Sequence, residues 1–229
     1  PSLQAVVVVT TDKVYENPET GRAFVENDPL GGHDPYAASK AAAEIVASSY
    51  ARSFFAARGV PVVTARGGNV IGGGDFSEDR IVPDIWRSLV ADRPLTLRYP
   101  EATRPWQHVL DCLAGYLSFA EAIATRPGLP HALNFGPRPE AVVSVAGLVE
   151  AMQRALGVPV GWQIDDGPKP TEMRALALDS GAARAALGWD DRLVGAQAIA
   201  ATAAWYVAMK GGADMRAHTL ASIEAYMAL

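Results

Sequence analysis

The apolar positions of the chain fall into short β-branched runs separated by longer helical stretches. Residues 6–9 are four consecutive valines without the polar alternation of a half-solvated strand, so they predict a strand covered on both faces, as in a parallel sheet. The alanine-rich stretch 36–58, which ends at Gly59, predicts a long helix, and 60–65 predicts a second apolar strand. Strand, helix and strand form a βαβ unit, whose crossover is right-handed in nearly all proteins.

The rest of the chain continues this alternation and then becomes helical. The glycine-rich stretch 67–75 predicts a loop. Alternating strands and helices indicate an α/β fold, and the helical tail indicates a smaller second lobe. Further strands are predicted at 95–98, 132–135 and 161–164, and further helices at 81–91, 109–124, 145–156, 180–187, 193–209 and 213–228.

Composition and charge exclude several classes of protein. The chain has 229 residues, of which 49% are hydrophobic and 20% charged, as in ordinary globular proteins. Its net charge is −5 and no Lys/Arg cluster stands out, which argues against binding to nucleic acid or to an anionic membrane surface. No apolar run approaches the ~20 residues of a membrane span. Cys112 is the single cysteine, which fits a reducing compartment and predicts a cytoplasmic location.

The candidate chemistry begins with Tyr36 and Lys40, which stand four apart at the start of the predicted long helix and therefore share one face. An ammonium beside a phenol favours the phenolate, which allows a tyrosine to serve as a general base. The pair alone is a weak signal, because the same spacing arises by chance on many helix surfaces.

Three further segments accompany this pair in a fixed order. Residues 10–15 read Thr-Thr-Asp-Lys-Val-Tyr after the first strand, and residues 66–72 read Arg-Gly-Gly-Asn-Val-Ile-Gly. Residues 103–111 read Thr-Arg-Pro-Trp-Gln-His-Val-Leu-Asp. The ordered series resembles the extended short-chain dehydrogenase/reductases that act on nucleotide sugars, and the resemblance covers nearly the whole chain.

The resemblance implies a fold and a cofactor. The fold would be the C-terminal part of a Rossmann-like doubly wound parallel sheet, formed by 1–75 with 106–150. A smaller, mostly helical substrate-binding lobe would comprise 76–105 with 151–229. The cofactor would be NAD. The glycine-rich dinucleotide fingerprint of the family is missing from the sequence, so we expect the N-terminal cofactor-binding half to lie outside this chain, which alone would bind NAD poorly.

The tripeptide Thr-Asp-Lys at 11–13 narrows the resemblance. It is similar to the CDP-glucose 4,6-dehydratases, whereas the dTDP-glucose and GDP-mannose enzymes carry an acid pair there. This implies an internal redox cycle on CDP-glucose, in which C4 is oxidised, water leaves across C5–C6, and C6 is reduced. The alternatives are another nucleotide-sugar dehydratase, a 4-epimerase, or an inactive fragment that only binds nucleotide sugar. A 4-epimerase would have no use for the acid Asp12.

The resemblance assigns catalytic roles to five residues. Tyr36 would take the proton of the sugar 4-hydroxyl, and Lys40 would hold the nicotinamide ribose. Thr11 would hydrogen-bond the same sugar oxygen, and Asp12 would protonate the departing 6-hydroxyl. Lys13 stands where other dehydratases carry a glutamate base, so it would act either as the C5 base or as an electrostatic stabiliser of the enolate. A plain ion pair between Asp12 and Lys13 in a loop is the alternative.

Ligand contacts and an assembly follow from the same resemblance. The family is usually dimeric, so we expect a homodimer through the helix 36–58. No set of His, Cys or carboxylate residues has metal-ligand spacing, and Gly72 to Gly74 lack the following Lys of a P-loop. NAD would be contacted by Thr10, Tyr36, Lys40 and Arg66, and the nucleotide sugar by Asn69, Arg80, Arg104, Glu172 and His108, the last at the opening of the following helix.

Overall fold

The computed structural model describes residues 3–138, 142–165, 167 and 176–229. The chain divides into two compact units. The first unit comprises Pro1–Gly68, Asp111–Arg138 and Ala175–Asp191, and the second comprises Asn69–Leu110, Pro139–Arg174 and Arg192–Leu229. These bounds differ from the expected ones chiefly in the segment before Asp191, which groups with the first unit.

Two strand-like hydrogen bonds explain that grouping. The backbone N–H of Phe24 donates to the carbonyl of Ala177 over 2.8 Å, and the N–H of Asp179 donates to the carbonyl of Phe24 over 2.8 Å. These hydrogen bonds join residues more than 150 positions apart in the chain, and no local pattern of apolar residues predicts them.

The elements of the described residues are numbered in chain order. The strands are β1 (Val6–Thr11), β2 (Val62–Gly67), β3 (Asn69–Ile71), β4 (Thr96–Leu97), β5 (Thr103–His108), β6 (Ala132–Phe135), β7 (Val142–Ser144) and β8 (Gln163–Ile164). The α-helices are α1 (Pro35–Tyr50), α2 (Ile81–Val90), α3 (Val109–Thr125), α4 (Val145–Ala155), α5 (Gly181–Leu187), α6 (Ala196–Lys210) and α7 (Met215–Met227).

The first unit is built on a parallel sheet of three strands in the order β1-β2-β6. Alternate side chains of a strand face opposite ways. In β2, Arg66 meets α1 through Glu44, whereas Ala65 packs in the core with Phe119 of α3. The sheet is therefore covered on one face by α1 and on the other by an apolar core formed by Val63, Ala65, Phe119, Ile123, Leu133, Phe135, Ala183 and Trp189.

The second unit has a sheet of order β3-β5-β7 and a separate pair, β4 with β8. β3 runs parallel to β5, and β7 runs antiparallel to it. Tyr206 of α6 is fully buried, and its hydroxyl donates to the carbonyl of Asp75 over 2.7 Å. The core that surrounds it includes Ile71, Ile85, Leu97, Trp106, Leu148, Met152, Ile199 and Ala203.

The glycine-rich segment after β3 belongs to this core. A Cβ atom added to Gly73 would lie 2.0 Å from Cγ of Trp205, and one added to Gly72 would lie 2.5 Å from Cγ1 of Val109. Both distances are far below van der Waals contact. These positions are glycine because neighbouring side chains occupy the space that a Cβ would need.

The helix predicted at 36–58 is one continuous helical run with a change of winding. After α1, Ala51–Phe55 form a π-helical turn and Ala56–Arg58 a 3₁₀ turn. The run ends at Gly59, which has φ of 65°. This left-handed conformation favours glycine, which is why the sequence identified the end of the helix correctly.

Two other expectations need correction. The strands β3, β5 and β7 were not predicted, and His108 ends β5 instead of opening the helix that follows. The valine run was expected to be covered on both faces, yet Val9, in the strand at the edge of the described sheet, is 51% exposed. Within the described residues, no helix combines the length and apolarity that crossing a bilayer requires.

Candidate active site

The site begins where β1 ends. After the valines, Thr10 and Thr11 are buried and a short 3₁₀ turn, Asp12–Val14, follows. The hydroxyl of Thr11 donates to Oδ1 of Asp12 over 2.9 Å, and the hydroxyl oxygen of Thr11 accepts the N–H of Lys13 over 3.4 Å. Asp12 is only 3% exposed, whereas Lys13 is exposed. The sharp turn therefore places the Asp12 carboxylate and the Lys13 ammonium in different environments.

The start of α1 supplies the second part of the site. Asp34 caps the helix, its carboxylate accepting the N–H of Ala37 over 2.9 Å, and Pro35 occupies the first turn. A capping Asp and a Pro in the first turn both fix where a helix begins. Tyr36 therefore lies in the first turn with its side chain half exposed, and Lys40 follows one turn later.

Tyr36 lies close to two ammonium groups. Nζ of Lys40 is 5.9 Å from the centre of the Tyr36 ring, and Nζ of Lys13 is also 5.9 Å from it. Both distances fall within the range of cation–π attraction. The structure thus brings together three predicted site residues from two elements. A phenol with two neighbouring cations can exchange a proton and can bind an oxygen-rich ligand.

Thr10 and Arg66, the two other predicted NAD contacts, are tied to the buried carboxylate of Glu44 on α1. The hydroxyl of Thr10 donates to Oε1 of Glu44 over 2.6 Å. Arg66 donates from Nε to Oε1 over 2.8 Å and from a terminal nitrogen to Oε2 over 2.5 Å. Burial alone would lower the pKa of Arg66, but the hydrogen bonds that Arg66 donates to Glu44 raise it above its ordinary value. A direct contact of Thr10 or Arg66 with NAD stays a prediction.

Tyr15 extends this network. Arg66 donates to the Tyr15 hydroxyl over 2.7 Å, and that hydroxyl donates to Oδ1 of Asn134 over 2.6 Å. Desolvation raises the pKa of Tyr15 to about 12, although Arg66 acts in the opposite direction. Tyr15 therefore keeps its proton at neutral pH and serves as a structural donor.

Glu44 is a residue of the site that the sequence analysis missed. A signal existed: Tyr36, Lys40 and Glu44 recur every four residues, so they share one face of α1. An acid on an otherwise alanine-rich buried face is unusual, because a buried carboxylate needs a partner. Identifying that partner as Arg66 required the fold.

The predicted substrate contacts lie in the second unit. Asn69 begins β3, and Arg80 is exposed directly before α2. Arg104 of β5 is partly exposed and donates from one terminal nitrogen to the carbonyl of Thr103 over 2.9 Å. His108 is 6% exposed, and its Nδ1 accepts the N–H of Leu110 over 3.2 Å, which satisfies one donor at the start of α3. Glu172 lies outside the described residues.

Among the described residues, no group of three or more His, Cys, Asp or Glu side chains has an arrangement that could hold a metal ion. The first unit does have a groove of about 480 Å³ between α1 and β2, beside the Glu44–Arg66 pair. Its lining also includes Ile45, Ser48 and Arg52 of the helical run.

Comparison with known proteins identifies the family. A sequence profile of the NAD dependent epimerase/dehydratase family matches residues 2–136, which is more than half of the chain. The chain belongs to this family. The resemblance drawn from the motifs around Tyr36 and Lys40 is thereby confirmed, and the family is one that uses NAD.

Two curated relatives are 4,6-dehydratases. The chain is 38% identical over 232 residues to a CDP-glucose 4,6-dehydratase of Salmonella typhimurium, a match that covers 99% of this chain and 65% of the relative. It is 33% identical over 205 residues to a dTDP-glucose 4,6-dehydratase of Streptomyces antibioticus, with 87% of this chain and 56% of the relative covered. The chain thus spans less than two thirds of the length of either relative.

Solved structures agree on the fold. A dTDP-glucose 4,6-dehydratase from Streptomyces venezuelae, solved with NAD, has a TM-score of 0.74 and 26% identity, covering 92% of this chain and 62% of that one. A UDP-glucuronic acid 4-epimerase from Bacillus cereus, also solved with NAD, has a TM-score of 0.76 at 19% identity, covering 90% of this chain and 62% of that one. The predicted α/β class with a Rossmann-like parallel sheet is confirmed.

Proposed function

We propose that the whole protein catalyses the NAD-dependent dehydration of CDP-glucose to CDP-4-keto-6-deoxyglucose. The observation that carries the proposal is the position of Tyr36 close to both Lys40 and Lys13, with the Thr11–Asp12 pair at the end of β1. The 38% identity with a CDP-glucose 4,6-dehydratase over 99% of the chain supports the choice of reaction and of nucleotide.

The residues of the first unit fit NAD. The half-exposed phenol of Tyr36 and the ammonium of Lys40 lie beside the carboxyl ends of β1 and β2, where open α/β sheets bind their ligands. A hydroxyl and an ammonium are suitable partners for the hydroxyls of a nicotinamide ribose. Bound NAD supplies a reversible two-electron oxidation. We propose that Lys40 and Tyr36 hold its ribose, with Thr10 and Arg66 supporting that region through Glu44.

The chain's own residues then move protons. Tyr36 accepts the proton of the sugar 4-hydroxyl while C4 is oxidised, and Thr11 hydrogen-bonds the same oxygen. The resulting 4-ketone makes the hydrogen at C5 acidic. Asp12, buried and next to the Thr11 hydroxyl, donates a proton to the departing 6-hydroxyl.

For Lys13 we propose electrostatic stabilisation of the enolate that forms when the C5 proton passes to a water molecule. Its ammonium is exposed and lies beside Tyr36, close to where the sugar C4 oxygen would sit. The substitution Lys13→Arg tests this role, because guanidinium keeps the charge and cannot act as a base at neutral pH. Activity within about tenfold of wild type is expected, whereas a loss as large as that of Lys13→Met would make Lys13 the base.

The nucleotide and diphosphate would be held by the second unit. We propose that Asn69, Arg80, Arg104, His108 and Glu172 contact the nucleotide sugar. A guanidinium such as that of Arg104 can grip a diphosphate with two hydrogen bonds. Substituting Arg104→Lys should raise KM more than it lowers kcat, since an ammonium keeps the charge and loses the paired geometry.

A product assay tests the function. The full-length protein would be incubated with NAD and, in separate reactions, CDP-, dTDP-, UDP- or GDP-glucose, and the products identified by mass spectrometry and NMR. Loss of water with a 4-keto, 6-deoxy product is expected from CDP-glucose above the others. A 4-epimer of unchanged mass would identify an epimerase, and binding in a calorimeter without any product would identify a nucleotide-sugar-binding protein.

We also propose a homodimer through residues 36–58. Val46, Tyr50 and Phe54 follow one another at four-residue spacing and are 55%, 55% and 60% exposed. A stripe of large apolar side chains beside an open groove is typical of an association surface. Sedimentation velocity of the full-length protein should give a dimer, and Tyr50→Glu should give a monomer. An unchanged sedimentation coefficient in the variant would place the interface elsewhere.

A further inference from the structure

We propose that Glu44 is a positioning residue for the proposed reaction: it holds the helix that carries Tyr36 and Lys40 in register with the strand that carries Thr11 and Asp12. The proposal deepens the function proposed above and rests on it. Glu44 itself touches neither Tyr36 nor Lys40 in any hydrogen bond, so its effect on them would pass through the position of α1.

Glu44 is regularly spaced along α1 with Tyr36 and Lys40. Residues 36, 40 and 44 of α1 share one face, and eight residues of helix rise about 12 Å. Tyr36 therefore sits about two turns from the Glu44 carboxylate. A helix is stiff over this distance, so a shift at Glu44 moves the phenol of Tyr36 by a similar amount.

The Glu44 carboxylate is hydrogen-bonded to residues of two strands. Oε1 of Glu44 accepts a hydrogen bond from Thr10 of β1 over 2.6 Å, and Thr10 directly precedes the Thr11–Asp12 pair. The same carboxylate accepts from Nε of Arg66, in β2, over 2.8 Å. One side chain of α1 thus binds both strands next to their carboxyl ends.

The Glu44–Arg66 pair is buried. The side chains of Glu44 and Arg66 are 4% and 5% exposed. A buried ion pair of this kind gives little net stability compared with apolar residues of the same shape, and its best-attested use is to specify one geometry over its alternatives. Thr10 and Thr64 both donate to the carboxylate as well, so any slide of α1 along the sheet would break several bonds at once.

The network also reaches the loop between β1 and α1. Arg66 donates to the carbonyl of Glu26 over 3.0 Å as well as to Tyr15. Both residues belong to the segment that leads from Asp12 to Tyr36. The connecting loop and the helix are therefore both bound to the guanidinium of Arg66. This restricts movement of Tyr36 and Lys40 relative to Thr11 and Asp12.

The test compares Glu44→Gln with a control in the same unit. Asp191→Asn also neutralises a buried carboxylate, which accepts from Arg184 over 2.9 Å and is 6% exposed. The hydrogen bonds and ion pairs of Asp191 join it to residues outside α1 and β1. Both variants are expected to lower the melting temperature of the full-length protein.

Kinetics separate the two variants. At a temperature where both are folded, Glu44→Gln should lower kcat for the nucleotide sugar by roughly 10- to 100-fold with KM changed less than about threefold, because misplacement near 1 Å costs about that much rate. Asp191→Asn should keep wild-type kcat. Glu44→Asp keeps the negative charge on a shorter side chain and should recover part of the lost kcat. If Glu44→Gln does not fold, kcat of Glu44→Asp is compared with that of Asp191→Asn. Equal kcat in Glu44→Gln, Glu44→Asp and Asp191→Asn would overturn the proposal.

A measurement that does not depend on catalysis distinguishes the positioning role of Glu44 from the proposed function. Hydrogen exchange measured by mass spectrometry should be faster in Glu44→Gln than in Asp191→Asn in the peptides that cover residues 8–12 and 36–40. If the wild-type protein dehydrates no nucleotide sugar, the proposed function fails. Faster exchange confined to those two peptides would still support the positioning role, and identical exchange in both variants would overturn it.

Discussion

Two arginine–carboxylate clusters stabilise the first unit, and they differ in burial and in what they connect. The α1 cluster consists of Thr10, Tyr15, Glu44 and Arg66, and the α5 cluster of Arg138, Arg184, Asp190 and Asp191. In the α1 cluster both charged side chains are at most 5% exposed. In the α5 cluster, Arg138 and Asp190 are 49% and 40% exposed, and only Asp191 is fully buried.

The connections differ as well. The α1 cluster joins a helix, two strands and a loop that together carry Tyr36, Lys40, Thr11 and Asp12. The α5 cluster joins the end of α5 to the residues that follow it and to Arg138. If the proposed function holds, the same pair of residue types supports a reaction geometry in one place and chain stability alone in the other, and the attached elements distinguish the two.

The largest expected effect comes from the chemistry that the α1 cluster supports. Tyr36→Phe in the full-length protein should lower kcat by about 10²- to 10⁴-fold, the range expected for a general acid–base group. Its melting temperature should stay within about 2 °C of wild type, because the side chain is half exposed and surface substitutions change stability little. Steady-state kinetics and differential scanning calorimetry give the two values. A variant with wild-type kcat would remove Tyr36 from the reaction.

Arg66→Met should give the largest loss of stability. It leaves the Glu44 carboxylate buried without its cation, and breaking a buried pair in this way costs about 3–5 kcal/mol of unfolding free energy. Urea denaturation measures the loss. The double variant Glu44→Gln with Arg66→Met should recover part of it, since no uncompensated charge remains. A double variant less stable than Arg66→Met alone would contradict this interpretation.

The substitution Asp191→Asn tests the α5 cluster, the more exposed of the two. A smaller loss of about 1–3 kcal/mol is expected, because Arg184 is 28% exposed and keeps its second partner, Asp190. Activity should be unchanged. If this variant lost as much stability as Arg66→Met, the difference in burial would not be what separates the two clusters.

The smallest expected effect is a dependence of folding stability on pH. Burial tends to raise the pKa of Asp190, but Arg184 and Arg138 lower it to about 2. A carboxylate with a lowered pKa in the folded state adds stability above its unfolded pKa of about 4, and that contribution disappears as pH falls toward 2. The difference in melting temperature between wild type and Asp190→Asn should therefore be present at pH 6 and shrink below pH 4. A constant difference would show that the charge of Asp190 contributes nothing.

Local signals explain which parts of the fold could be predicted. The end of the long helix at Gly59, the strand β6 and the helix α3 follow from residues within each segment. By contrast, β5 reads Thr-Arg-Pro-Trp-Gln-His and contains a proline. It is a strand because β3 and β7 pair with it on either side, and such pairing is invisible in a window of sequence.

The site divides in the same way. The spacing of Tyr36 and Lys40 is a property of one helix, so the sequence alone identified the pair. Glu44 meets Thr10 and Arg66 across 34 and 22 positions of chain. No periodicity encodes contacts of that separation, so the bond between Arg66 and Glu44 could not be predicted from the sequence.

The close approach of Trp205 to Gly73 has a consequence for anyone who wishes to diversify this protein. The indole of Trp205 occupies the space that a side chain at position 73 would need, so a larger residue at 73 would clash with it. An alanine at 73 would be tolerated only together with a smaller residue at 205. A library that randomises position 73 and keeps Trp205 would therefore consist mostly of variants that misfold. These variants would be lost before any selection for new substrates.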